Sequence, residues 1–126
     1  MPTTLDLTPD QIANYRAHAL RRRQQEQPEV DRRKQKAWQA ARDAARMLKE
    51  EFNATRVVVF GSLARGSGFT QWSDVDIAAW GLAQNDTFRA IGAIMDMETD
   101  VPVNLVDVDT ARPSLLSTIE REGIDL

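Results

Sequence analysis

The chain has no cysteine, one histidine and one tyrosine among its 126 residues. Without thiols it forms no disulfide and offers no thiolate ligand to zinc. A lone histidine, His18, makes no histidine pair for metal binding or catalysis. No apolar run approaches the ~18–20 residues that a membrane span needs. The opening Thr3-Thr4-Leu5-Asp6 is polar where a signal peptide would be apolar. Gly/Ser-rich linkers, internal repeats and low-complexity tracts are missing as well. These absences lead us to expect a soluble cytoplasmic protein. With 42% hydrophobic residues, the length suits one domain with a modest core.

The net charge of −3 is unevenly spread. Residues 1–50 hold eleven Lys/Arg against seven Asp/Glu, and residues 51–126 hold five against twelve. The first part is therefore basic and the second acidic, with the composition changing near residue 50. We divide the chain there, into a basic helical extension over 1–50 and a mixed α and β domain over 51–126. Arg21-Arg22-Arg23 and Arg32-Arg33-Lys34-Gln35-Lys36 form the basic stretches. Acidic Glu26, Glu29 and Asp31 interrupt them and no aromatic residues are interleaved, so a solvated helix face is favoured over a nucleic-acid surface.

Thr8-Pro9-Asp10-Gln11 has the order of a helix start, with Thr8 as N-cap, Pro9 at the first position and Gln11 closing a capping box. This helix is expected to run to about Gln27, where Pro28 interrupts. A second is expected over about 29–52, because Trp38, Ala41, Ala45, Leu48 and Phe52 recur at helical spacing. Strands are expected at about 56–60, 74–80 and Val103–Val108. A helix capped by Asp86 over about 87–98 should bury Phe88, Ile91 and Met95. A last helix from Asp109 or Thr110 should turn Leu115, Leu116 and Ile119 inward and end at Gly123. Tyr15 and His18 carry no functional signal. Trp38 reads as core and Trp72 as packing or a partner surface.

Two short segments carry the chemistry. The apolar run Val57-Val58-Val59-Phe60 ends at Gly61-Ser62, followed by Leu63-Ala64-Arg65-Gly66. A strand stopping at a glycine lets backbone N–H groups approach an anion, and a helix opening at Ser62 aims its positive end the same way. Trp72-Ser73-Asp74-Val75-Asp76-Ile77 then alternates carboxylates with apolar residues. Positions two apart in a strand share a face about 6.6 Å apart. Two such carboxylates suit Mg²⁺, which commonly takes one or two together with phosphate oxygens. Phosphate cradle and metal clamp in sequence suit phosphoryl or nucleotidyl transfer.

The order Gly61-Ser62, a gap, then Asp74-Val75-Asp76 resembles the nucleotidyltransferase superfamily that includes DNA polymerase beta. The nearer likeness is to its small branch of minimal nucleotidyltransferases (MNT), through G-S-x-A-R-G followed by S-D-x-D, and it covers about residues 51–126. The resemblance implies a small polymerase-beta-like α/β (α+β) fold, a short mixed sheet with flanking helices. It implies that Gly61 and Ser62 bind the triphosphate, that Asp74 and Asp76 hold Mg²⁺, and that Arg65 adds a contact to phosphate. It also implies a partner, since MNT proteins pair with helical HEPN ribonuclease toxins as antitoxins, and some transfer AMP from ATP to a toxin tyrosine. A hetero-oligomer of this chain with such a toxin is the expectation.

One position departs from the pattern. The family's third carboxylate comes from the next strand, in a pattern like V-D-L-V-D, and here the segment reads Val103-Asn104-Leu105-Val106-Asp107. Asn104 has a carbonyl oxygen for a metal but no charge and no capacity as a base. Asp107, three positions on, points to the opposite strand face and should not replace it. Loss of a general base costs about 10²–10⁴-fold in rate. Two readings follow: an AMP-transferring antitoxin, attenuated or fully competent, and an antitoxin that neutralises its toxin by contact alone.

Overall fold

The computed structural model describes residues 8–126, so the polar start at Thr3–Asp6 lies outside it. Helix α1 spans Pro9–Phe52. Its start is the expected capping box: the Gln11 amide N–H donates to Thr8 Oγ1 at 3.2 Å and the Thr8 N–H to Gln11 Oε1 at 2.9 Å. Asn53, left-handed at φ 59°, closes the other end.

The expected break at Pro28 does not occur; two predicted helices are one. A proline inside a helix forfeits one backbone hydrogen bond and crowds the preceding turn, at about 3 kcal/mol. Here the helix is secured on both sides, by the capping box upstream and by packing downstream. The Gln27 amide, donating to Asp31 Oδ1 at 3.1 Å, bridges the proline's own turn. Of the residues between 8 and 29 whose burial is described, all but Ile12 and Ala19 are exposed, whereas Ala37, Ala40, Ala41, Ala44, Ala45, Leu48 and Phe52 are buried. Alanines on the buried side bring the helix axis close to the sheet.

Four strands follow: β1 (Arg56–Phe60), β2 (Val75–Trp80), β3 (Val103–Asp107) and the two-residue β4 (Ile124–Asp125). They line up as β3-β2-β1-β4, with β2 and β3 parallel and the other pairs antiparallel. Between them lie α2 (Ser62–Arg65), α3 (Thr87–Met95) and α4 (Pro113–Glu122). The mixed sheet with flanking helices is the expected fold.

Each face of the sheet has its own core. Val57, Val59, Val75, Ile77 and Ala79 point toward α1 and α3, and Val58, Phe60 and Ala78 pack with Val108 and Ile119 on the other side. The alternation follows from the two-residue period of a strand. Asp76 belongs by that period to the α4 side, opposite Phe60 in β1 and Asn104 in β3.

Two expectations about α3 fail. Its buried residues are Ala90 and Ile94, while Phe88 and Met95 are 87% and 76% exposed and Ile91 is partly covered. A helix only nine residues long fits both stripes at helical spacing, and β3 beside it selects the one with the smaller Ala90. Asp86 stands at the N-cap but accepts from Arg89 Nη1 at 2.8 Å rather than capping, because a 3₁₀ turn at Gln84–Asp86 enters the helix first. A second 3₁₀ turn, Val108–Thr110, fills the expected start of α4, which begins at Pro113. Ile119 is buried and Leu115 and Leu116 are half-buried against it, as the periodicity requires.

Candidate active site

The site gathers at one end of the two central strands. β1 ends at Phe60, and Gly61 turns the chain into α2 with φ 77° and ψ −155°, a conformation open essentially to glycine alone. A Cβ on Gly61 would lie 2.7 Å from Asp76 Oδ2. The glycine is therefore required twice, for its backbone angles and because the Asp76 carboxylate rests over its α-carbon. This contact joins the two sequence segments. Beyond the turn, the first N–H groups of α2 have no partner within the helix and face outward from its start. Arg65 closes this single turn, donating its backbone N–H to Gly61 O at 3.0 Å, and its Nη1 pairs with Glu122 Oε2 of α4 at 3.3 Å.

The segment leading into β2 is fixed by local bonds. Phe69 is buried, Thr70 N–H donates to Ser73 Oγ at 2.9 Å and Ser73 N–H to Thr70 O at 3.2 Å. Asp74 follows directly, one residue ahead of β2. Trp72 is 80% exposed, so of the two roles expected for it, packing or a partner surface, packing does not hold, whereas Trp38 does lie against the core.

Asp76 uses its two oxygens differently. Oδ2 faces Gly61, while Oδ1 accepts from Asn104 Nδ2 at 3.3 Å. Burial pushes the Asp76 carboxyl above the usual aspartate range; the Asn104 hydrogen bond draws it back, the Asp74 charge pushes it up again, and Arg65 opposes this. Two carboxylates that repel each other at a half-buried position supply the field that a divalent cation relieves. The donors are all oxygens, which fits Mg²⁺ rather than a softer metal. Among the described residues no group of three or more His, Cys, Asp or Glu could hold a metal, so a cation here relies on Asp74 and Asp76 with oxygens from elsewhere. Asn104 lies beside Asp76 and acts on it as a donor. Asp107 is buried on the other side of β3, where it accepts from Thr87 Oγ1 at 2.6 Å and from the Asp109 N–H at 3.1 Å. It is occupied structurally.

Residues 43–126 match the polymerase beta nucleotidyltransferase family. The chain belongs to that family. Among solved structures, the nucleotidyltransferase resembles a toxin–antitoxin pair, MntA-HpeT with a tyrosine-to-alanine substitution, at 25% identity and TM-score 0.53, covering 68% of this chain and 69% of that one. It resembles the crystal structure of a toxin–antitoxin with AMP-PNP at 22% identity and TM-score 0.52, over 66% and 69%. A MntA-HpeT variant with two aspartates changed to glutamate matches at 18% and 0.52, over 68% and 70%. No curated protein matches.

One residue at the site escaped the sequence reading. Arg33 of α1 donates from Nε to Ser73 O at 2.8 Å, and its Nη2 lies 3.6 Å from Asp74 Oδ1. The signal was present, since Arg33 stands one turn ahead of buried Ala37, a cation extending the core-facing stripe. No helix among the described residues is long and apolar enough to cross a membrane.

Proposed function

We propose that this nucleotidyltransferase is an antitoxin that transfers AMP from Mg-ATP to a hydroxyl, a tyrosine in our reading, of a cognate HEPN ribonuclease toxin, and so silences it in the cytoplasm. The observation that carries the reading is the close approach of the Gly61 turn to the Asp76 carboxylate, which supports a phosphate cradle at the one acting with a metal ligand at the other. The likeness to MntA-HpeT supports a toxin partner, and that to a complex with AMP-PNP supports an adenine nucleotide. A helical extension over 1–50 and a transferase domain over 51–126 are proposed as the two parts, with the exposed start of α1 meeting the partner.

In this scheme Gly61 and Ser62 receive the phosphates, Asp74 and Asp76 hold Mg²⁺, and Arg65, released from its pairing with Glu122, adds a phosphate contact. The bound cation would neutralise the triphosphate and lower the pKa of the attacking hydroxyl. The acceptor oxygen attacks the α-phosphorus, pyrophosphate departs as the P–O bond to it breaks, and the hydroxyl proton is released to water. Asn104 cannot take the acceptor's proton, which makes turnover slow. It instead holds Asp76 in place. Catalysis here is mostly alignment and charge stabilisation.

The amide at Asn104 also favours a second reading, in which the fold neutralises its toxin by binding alone. Intact mass of the toxin after co-expression separates the two. A gain of one or more AMP units with wild type, absent with Asp74→Ala/Asp76→Ala, supports transfer. An unmodified toxin that still copurifies and stays silent supports contact.

A further inference from the structure

Arg33 belongs to the part of α1 that precedes the family match, which begins at residue 43. It nevertheless touches the loop that delivers Asp74. Its guanidinium spans two acceptors, the Ser73 carbonyl at 2.8 Å and the Asp74 carboxylate at 3.6 Å, and its side chain is only 23% exposed. A planar fork can hold two acceptors at a fixed angle, which a lysine ammonium cannot. The Ser73 carbonyl immediately precedes the Asp74 backbone, so fixing it fixes where the carboxylate starts. On the other side of Ser73, the Thr70 hydrogen bonds hold the same turn. Asp74 has no strand partner of its own, because the β2 ladder with β3 begins at Val75. Arg33 thus supplies from outside the sheet the restraint that Asp76 receives from Asn104 and from the β ladders.

Resting on the metal-site reading above, we propose that Arg33 is a positioning residue for Asp74, setting that carboxylate for a divalent cation shared with Asp76. Groups that orient metal ligands typically change affinity by about 10–100-fold when removed. The test is Mn²⁺ binding by the full chain, read from the electron paramagnetic resonance of free Mn²⁺, alone and with a non-hydrolysable ATP analogue. Wild type, Arg33→Ala and Arg33→Lys are compared, with circular dichroism and melting of the metal-free proteins alongside. Arg33→Ala should bind Mn²⁺ about 10–100-fold more weakly while retaining its helical signal, and Arg33→Lys should fall between the two. The Mn²⁺-induced rise in melting temperature should shrink in the same order. Arg33→Ala binding as tightly as wild type, or more tightly, overturns the inference alone. Wild type that binds no Mn²⁺ with or without nucleotide overturns the metal-site reading, and the inference with it.

Discussion

Replacing Gly61 by alanine tests whether the two halves of the site are in mechanical contact. Two separate costs are expected. The first is the backbone: φ 77° with ψ −155° is a region that a residue with a Cβ occupies at about 1–3 kcal/mol. The second is the approach of 2.7 Å to Asp76 Oδ2, tighter than a carbon–oxygen contact tolerates, so the carboxylate must retreat from its place beside Asn104. A chain of this length melts with an entropy of about 0.26 kcal/mol/K, so the backbone cost alone lowers the melting temperature by about 4–12 °C. Thermal denaturation followed by circular dichroism gives the total. The same substitution in an Asp76→Ala background isolates the contact, since the opposing oxygen is gone and only the backbone cost remains. Residues in direct contact couple by about 0.5–3 kcal/mol in such cycles. Equal melting losses in both backgrounds would falsify the contact, and with it the argument that glycine is required there by the carboxylate.

Asp76→Asn should raise the melting temperature of the metal-free protein at pH 7.5. The Asp76 carboxyl is held above the usual range by burial, so the native state keeps its proton longer than the unfolded chain does. Its contribution is therefore lost as pH rises through the native pKa, and a neutral amide avoids that loss. The advantage should fade as pH falls toward the ordinary aspartate pKa of about 3.9; a gain that persists there would contradict the burial argument. Asn104→Asp removes a donor from Asp76 and adds a third charge, so it should lower metal-free stability yet tighten Mg²⁺ binding and raise AMP transfer by up to about 10²-fold. Stability and transfer moving together would sink this reading. On α3, Phe88→Ser should change stability by no more than about 0.5 kcal/mol and Ile94→Ala should cost about 2–5 kcal/mol, measured by urea unfolding. The reverse ranking would restore the face read from the sequence.

The elements easiest to read were those whose pattern had one solution. Val57–Phe60 is a short apolar run stopped by glycine, and Thr8–Gln11 carries a start signal in four consecutive residues; both stand where expected. Helix α3 shows the opposite case. Its nine residues offer two apolar stripes, and only the surface that β3 presents decides between them. Pro28 was misjudged because its local penalty is small against the packing that the rest of α1 provides. The two residues of β4 carry no pattern at all; they pair with Val58 and Val59, and at the start of β1 Arg56 donates to Asp125 and Glu120 at 2.7 and 2.9 Å. The motifs put Asp76 and Asn104 on neighbouring strands and Gly61-Ser62 at the turn after β1, while Asp74, expected inside β2, stands one residue ahead of it. The stripe marked Arg33 as core-facing, but its contact with Ser73, forty positions on, is visible only once α1 lies on the sheet.

The unbroken run of α1 imposes a phase as well as a reach. Its 44 residues extend about 66 Å, and each step turns the helix by about 100°. Because the part from Ala37 onward is seated in the core, the helix backbone before it leaves the domain on a set bearing relative to Asp74. One alanine inserted ahead of Arg33 would swing the whole exposed stretch by about 100° without disturbing the sheet. The exposed stretch therefore acts like the hand of a dial, its bearing fixed by the core, and a partner that grips it is delivered to the site at a single angle.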